Sequence, residues 1–291
     1  LPVLPLVLAN GAKGIATGFA TSILPRSTKH LAKAVKEYLE KGSIARKLPI
    51  TFPDFSGKVE YDKENDKYHV IGSFERKSKT VMIITEVPYG YDREGYIKVL
   101  DTLEDNNDIV SYEDKCDKTG FCFEIKLKLA SANAWTDERI IRKFKLSKPL
   151  SENLTVIDQN GKLREYTNAR DLIKDFVDYR LTVLQQRINL RKEEEVEESR
   201  WLKVKMQFIK AVLDGTIQFK NKKKDVVAAQ ILKVTDALKL DVDKLLRINM
   251  LSLTDEMVKD LKQQIESSKD RLKFWNKTTP KAQYESDLLE I

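Results

Sequence analysis

Hydrophobic positions along this chain change their period twice, and the changes divide it into stretches of different structural promise. From Ser27 through Lys41, Leu31, Ala34, Val35, Tyr38 and Leu39 recur at helical spacing, and Gly42 follows as a stop signal. Residues 50–130 then favour strands. Gly57–Tyr61, Tyr68–Ile71, Thr80–Ile84 and Phe121–Leu129 are rich in β-branched and aromatic residues, with charged turns such as Lys63–Asp66 between them. One helical pattern interrupts them over Asp92–Asn106, with Tyr96, Ile97, Leu100 and Leu103 on one side. The mixture predicts an α+β domain with a mainly antiparallel sheet.

After Asn168, which can cap a helix with Asp171 three residues later, the period becomes that of one long helix to Leu213, ended by Gly215. Val177, Leu181, Leu184 and Ile188 keep the spacing of a coiled-coil seam, and Leu202, Ile209 and Val212 rejoin its register. Arg191, Glu195 and Glu198 occupy the seam between them, so its middle is polar. A second helix opens at Thr254–Glu256 and repeats Val258, Leu261, Ile265, Ser268 and Leu272. Two stripes about forty residues apart most simply make an antiparallel pair. Between them, Asp225–Val234 and Leu238–Leu251 read as short amphipathic helices. Their apolar face, including Ile231, Leu245, Leu246, Ile248 and Leu251, packs either on the chain's own helices or on a second copy.

Charge adds a partner class to this outline. The 291 residues carry 52 Lys+Arg against 45 Asp+Glu, a net charge of +7, and favour a polyanion, with a highly charged helical surface as the lesser alternative. Two cysteines, Cys116 and Cys122, and two histidines, His30 and His69, are too few and scattered for a zinc site, and a cytoplasmic setting with reduced thiols is expected. Residues 1–25 are apolar, but Pro2, Pro5, Asn10 and Lys13 interrupt them, so no membrane segment is expected. No initiator Met is present, and the chain is expected to be part of a longer protein with functional residues upstream.

Candidate chemistry is sparse. No P-loop, dinucleotide fingerprint, zincin or nucleophile elbow occurs. Asp241-Val242-Asp243 has a spacing that some magnesium sites use, but at the start of a helical stripe it serves better as an N-terminal cap. Lys220–Lys224 reads as a solvated turn, with a transient nucleic acid contact as the alternative. The most informative stretch is Asn10–Thr21, where Gly11, Gly14 and Gly18 let a backbone approach something bulky, with Ile15 between two glycines and Lys13 beside it. By itself that spacing is weak evidence, and on the residues alone a core residue beside a glycine turn is the favoured account of Ile15.

Leu6–Thr21, reading L-V-L-A-N-G-A-K-G-I-A-T-G-F-A-T, resembles the L-x-V-N-G-x-x-G-I-(A/G)-x-G-x-(A/S)-T segment of the breakage-reunion subunit of type IIA DNA topoisomerases. Glu86-Val87-Pro88, Asn153–Asp158 with Gly161-Lys162, and Phe176–Leu181 resemble later segments of that family in order, and the likeness covers nearly the whole chain. Around Gly215–Ile217 and Leu251–Thr254 it looks more like the eukaryotic and T-even phage enzymes than bacterial gyrase. One departure follows the glycine segment, where the family's I-P-P-H-N is replaced by Ile23-Leu24-Pro25-Arg26-Ser27.

The resemblance implies a DNA-gate segment over residues 1–30, an α+β tower domain over 31–168, and a coiled-coil arm over 169–291 with a helical dimer gate at about 216–253. It implies that Ile15 enters a base step of double-stranded DNA, with Asn10, Lys13, Gly14 and Arg26 beside it, and that Ile231, Leu245, Leu246, Ile248 and Leu251 close a homodimer. The family's nucleophilic tyrosine follows an arginine, and no Arg-Tyr dipeptide occurs here, so these residues alone are not expected to cut DNA. ATPase and metal-binding subunits are the implied partners, with Mg and ATP bound outside this chain and none within it, and the cytoplasm is the implied setting. A structural coiled-coil dimerisation module without a nucleic acid role is the alternative.

Overall fold

The computed structural model describes residues 1–249 and 253–291, which form two compact units, Leu1–Val177 and Asp178–Ile291. The expected contact residue Leu251 lies outside the described residues. The first unit opens with a short helix α1 (Leu6–Asn10), a hairpin of β1 (Ala12–Ile15) and β2 (Ala20–Ile23), and helix α2 (Thr28–Lys41), which Gly42 ends in the left-handed conformation. Strands β3 (Lys58–Asp62), β4 (Lys67–Ile71), β5 (Ser73–Arg76) and β6 (Val81–Glu86) follow, then α3 (Arg93–Asp105), β7 (Ile109–Asp114) and β8 (Phe123–Leu127). Helices α4 (Leu129–Ala134) and α5 (Asp137–Lys143) lead into β9 (Ser147–Leu150), β10 (Leu154–Ile157) and β11 (Leu163–Tyr166).

The pairing is antiparallel throughout, as the sequence predicts for this domain. One sheet has the order β5-β6-β8-β7 and a second β3-β4-β9, so strands near in sequence mostly lie side by side. Alternation explains the burial: Met82 and Ile84 of β6 and Phe123, Ile125 and Leu127 of β8 face one core, which Tyr96, Leu100 and Leu103 of α3 complete. Asp92 starts α3 by accepting the Gly95 N–H at 2.8 Å. Within that core the Tyr96 hydroxyl donates to the Phe144 carbonyl at 2.8 Å, satisfying its one buried polar group.

The second unit is helical. Helix α6 (Ala169–Leu213), whose first residues belong to the first unit, runs 45 residues from an Asn168 cap, whose side-chain oxygen accepts the Asp171 N–H at 3.1 Å. After it come α7 (Lys224–Val234), α8 (Lys239–Leu246), α9 (Asp255–Lys277), capped by Thr254, and α10 (Pro280–Leu289). The partners of α6 descend in sequence as α6 ascends: Arg180 pairs with Asp287 of α10, Glu195 meets Ser268 and Arg271 of α9, and Leu202 and Ile209 share a core with the earlier α9 residues Val258, Leu261 and Ile265. Helices α6 and α9 therefore run antiparallel. The polar middle of the predicted seam is filled by ions. Arg271 bridges Glu195 at 2.7 Å and Glu198 at 2.9 Å, and holds the Glu195 carboxyl below its ordinary range. Helix α8 is shorter than the predicted 238–251 stretch; it ends at Leu246, and Ile248 follows it half-buried.

Candidate nucleic-acid interface

The glycine segment folds as a β-hairpin. Lys13 pairs with Ser22, Gly14 with Thr21, and Ile15 with Ala20, while Thr17 and Gly18 turn the chain and the Ala16 N–H donates to the Phe19 carbonyl at 2.9 Å. Gly18 has φ +87°, a conformation that a side chain strains, so the turn requires glycine there. Gly11 is required for a second reason: at φ +71° a Cβ would meet the Ile23 carbonyl oxygen at 2.8 Å. Gly14 differs from both. Its φ is ordinary and a Cβ there would make only a 3.6 Å contact with Thr21 Cγ2.

At the end of this hairpin Ile15 is 87% exposed, although an isolated aliphatic gains by leaving water. Asn10, Lys13 and Gly14 are exposed on the same short stretch, so four of the five residues predicted to meet DNA are brought together. The fifth is not. Arg26, expected as a surface cation, is buried at 4% exposure. Its guanidinium forks onto Glu152 at 2.8 and 2.7 Å and donates to the Leu24 carbonyl at 2.9 Å. A charge removed from water needs its counter-ion and hydrogen bonds, and the two terminal nitrogens of Arg26 find both inside the fold, while its Nε is buried without a partner among the described residues. It borders an open cleft of about 1030 Å³ where Asp66, Glu152 and Glu165 outweigh Arg26 and Arg170, a balance that disfavours phosphate. Arg26 is therefore a structural residue at the root of the hairpin.

Sequence reasoning missed the residues that hold this root. Asn153 exchanges both backbone hydrogen bonds with Ser22, at 3.0 and 2.8 Å, and its side-chain amide donates to the Ala20 carbonyl at 2.8 Å. The Glu152 carboxylate accepts the Leu24 N–H as well as the Arg26 fork. The contacts span more than 125 residues of sequence, so no local pattern carries them; the only signal was that Asn153 opens a family-like segment.

The residues predicted to close a dimer divide differently. Ile231 is 0% exposed and Leu245 is also buried, both within the core that Leu202, Phe208 and Ile265 share. This corrects their assignment as contact residues: the chain's own helices consume them. Leu246 and Ile248 are half-buried, and the large apolar side chains left exposed nearby are Val226, Leu232, Val234, Leu238 and Leu240. Asp241 acts as a cap, accepting the Leu238 N–H at 2.8 Å, and its buried carboxylate pairs with Arg200 at 2.7 Å, which lowers its pKa. Asp243 pairs instead with Lys224 at 2.8 Å. Among the described residues no group of three or more His, Cys, Asp or Glu side chains gathers to hold a metal. Nor is any described helix long and apolar enough to cross a membrane.

Comparison with known proteins agrees over the whole chain. A family model for the A-type subunit of DNA gyrase/topoisomerase IV matches residues 1–290. The DNA topoisomerase medium subunit of Enterobacteria phage T4 is 38% identical over 297 residues, covering 100% of this chain and 66% of that protein. DNA topoisomerase 2 of Plasmodium falciparum is 28% identical over 237 residues, covering 80% of this chain and 17% of that one. A crystal structure of the Plasmodium falciparum topoisomerase II DNA-binding, cleavage and re-ligation domain superposes with a TM-score of 0.88 at 25% identity, covering 100% of this chain and 43% of that one. The chain thus spans about two thirds of the phage subunit and a smaller share of the eukaryotic enzyme. With the antiparallel α+β unit and the long helix in the same order, the chain belongs to the DNA gyrase/topoisomerase IV family of A-type subunits.

Proposed function

We propose that this chain is the DNA-bending and dimer-gate portion of an ATP-dependent type II DNA topoisomerase, working in the cytoplasm. The observation that carries the proposal is Ile15, an aliphatic side chain held 87% exposed on a braced hairpin with a lysine two residues away. Inserted between base pairs from the minor groove, such a side chain unstacks a step and kinks the duplex, at a cost of a few kcal/mol offset by added backbone contacts. Lys13 and Asn10 supply contacts to phosphate and sugar. Arg26 contributes indirectly, by fixing the hairpin root through Glu152.

In this reading the first unit supports the bent duplex as a tower, and α6 with α9 forms a coiled-coil arm. The exposed apolar residues of α7 and α8, with Leu246 and Ile248, meet a second copy at its end. Two copies joined in this way hold a cut duplex while another passes. The nucleophile, Mg and ATP are supplied by the rest of the subunit and by ATPase and metal-binding partner subunits. The test is Ile15→Ala in the complete enzyme, with DNA bending followed by fluorescence transfer between labelled duplex ends. Loss of bending and of cleavage is expected; both unchanged would overturn the assignment.

A further inference from the structure

A second hairpin lies beside the first and ends in the same kind of side chain. Strands β10 and β11 pair so that Ile157 stands directly opposite Leu163, and these two aliphatics are 73% and 46% exposed. The antiparallel bridge between Ser22 and Asn153 fixes the direction of this hairpin. Along β2 the chain runs from the Ile15 end towards the root; β10, antiparallel to it at the bridge, runs from the root towards the Ile15 end. Both hairpins therefore advance the same way from one shared anchor. Neither Ile157 nor Leu163 belongs to the apolar clusters around Met82 and around Leu24.

The turn between them is polar and preorganised. The Asp158 carboxylate accepts the Asn160 and Lys162 N–H groups at 2.8 and 2.9 Å, so its charge is engaged in holding the turn. Arg164 pairs with Asp175 and lies 4.9 Å from the Tyr166 ring centre, which draws it back towards the strand. What remains exposed at the tip is Gln159, Asn160 and Lys162, flanked by Ile157 and Leu163. Amides and a lysine set among aliphatic shoulders are the chemistry that reads minor-groove acceptors and packs on sugars.

We propose that the β10–β11 hairpin is a second contact with the same duplex, in which Ile157 and Leu163 pack on the sugar walls of the minor groove while Gln159, Asn160 and Lys162 bond base edges and phosphates. The proposal rests on the reading of Ile15 as a DNA contact. It makes the site a two-pronged clamp, with one prong unstacking a base step and the other holding the duplex along its path.

Photo-crosslinking in the complete subunit, assembled with its partner subunits, tests this. Benzoylphenylalanine is introduced in place of Ile157 in one preparation and of Ile15 in another, and each is irradiated with labelled duplex. Crosslinks to DNA from both positions are expected. A DNA crosslink from position 15, with only protein crosslinks or none from position 157, overturns the second contact and leaves the first. Silence at both positions removes the underlying reading and the clamp with it. As a second measurement, Ile157→Ser with Leu163→Ser should weaken duplex binding roughly tenfold, the loss expected when two aliphatics no longer leave water. Because both side chains are exposed, the melting temperature should not move, and unchanged duplex affinity in that folded variant also overturns the proposal.

Discussion

The β1–β2 hairpin and the helical cluster of α7 and α8 both carry apolar residues that the sequence offers as contacts, and the fold treats them in opposite ways. Ile15 sits on a four-residue strand between glycines and stays in water. Ile231 sits on an amphipathic helix with α6 and α9 close by, and is wholly buried. An apolar stripe at helical spacing identifies the face that will be buried without saying against what. An aliphatic in a short, glycine-flanked hairpin has nowhere of its own to go. Exposure there, on a hairpin whose Phe19 is also 53% exposed, leaves a small apolar surface that a partner can cover.

That contrast can be broken most sharply at the root of the hairpin. Glu152→Ala leaves the Arg26 guanidinium buried without its carboxylate, and should destabilise the first unit by about 4 kcal/mol. Glu152→Gln, which keeps one acceptor, should cost less. Urea denaturation gives both values, and a loss below about 1 kcal/mol for the alanine variant would mean that Arg26 is free to act at the surface after all. Next in size is Ile231→Ala, expected to cost about 3 kcal/mol for the cavity it leaves. Ile15→Ala should change stability by no more than about 0.5 kcal/mol. Equal losses from the two isoleucine variants would erase the distinction drawn between the regions.

How much of this is legible in the chain follows the range of the interactions. Helices α2, α3, α6 and α9 fall within a few residues of their predicted bounds, because cap residues such as Asp92, Asn168 and Thr254 and the stop Gly42 act within one turn. Strands β3, β4, β6 and β8 follow the alternation that marks them. Strand β7 and the short helices α4, α5 and α10 are too brief to show a period, and the caps Thr136 of α5 and Thr279 of α10 stand before no apolar stripe long enough to announce a helix. At the candidate site, the stretch from Asn10 to Ile15 is identifiable from its own residues. The fate of Arg26 is not, since it depends on Glu152, which is 126 residues distant. The same applies to Ile231, whose burial depends on residues of α6 and α9.

The polar middle of the α6–α9 pair provides a smaller effect with a defined sign. Arg271 depresses the pKa of Glu195 below its ordinary 4.5, and Arg200 depresses that of Asp241 below 3.8. A depressed carboxylate stabilises the fold fully above its ordinary pKa, and the contribution disappears as pH falls through the lowered value. The second unit should therefore hold constant stability from neutrality down to about pH 4.5 and weaken below it, by a few degrees of melting temperature. Amide protection factors along α6 and α9, which compare exchange with the intrinsic rate at each pH, should fall over the same interval. With Glu195→Gln the fall should be reduced, and an unchanged acid limb would show that these pairs do not govern it.

The smallest expected effect separates the glycines of the hairpin from one another. Gly11→Ala should be strongly unfavourable, because its φ of +71° strains a side chain and the new Cβ would meet a carbonyl oxygen at 2.8 Å. Gly14→Ala meets neither obstacle. A glycine inside a strand loses more entropy on folding than alanine, so the substitution should leave the isolated fold unchanged or stabilise it by about 0.5 kcal/mol. If duplex binding by the complete enzyme nevertheless falls, Gly14 serves the approach of DNA beside Ile15 and not the fold. A destabilised Gly14→Ala would instead place it with Gly11 and Gly18, as a residue the hairpin needs for itself, and the open strand around Ile15 would lose its significance as a surface kept clear for a ligand.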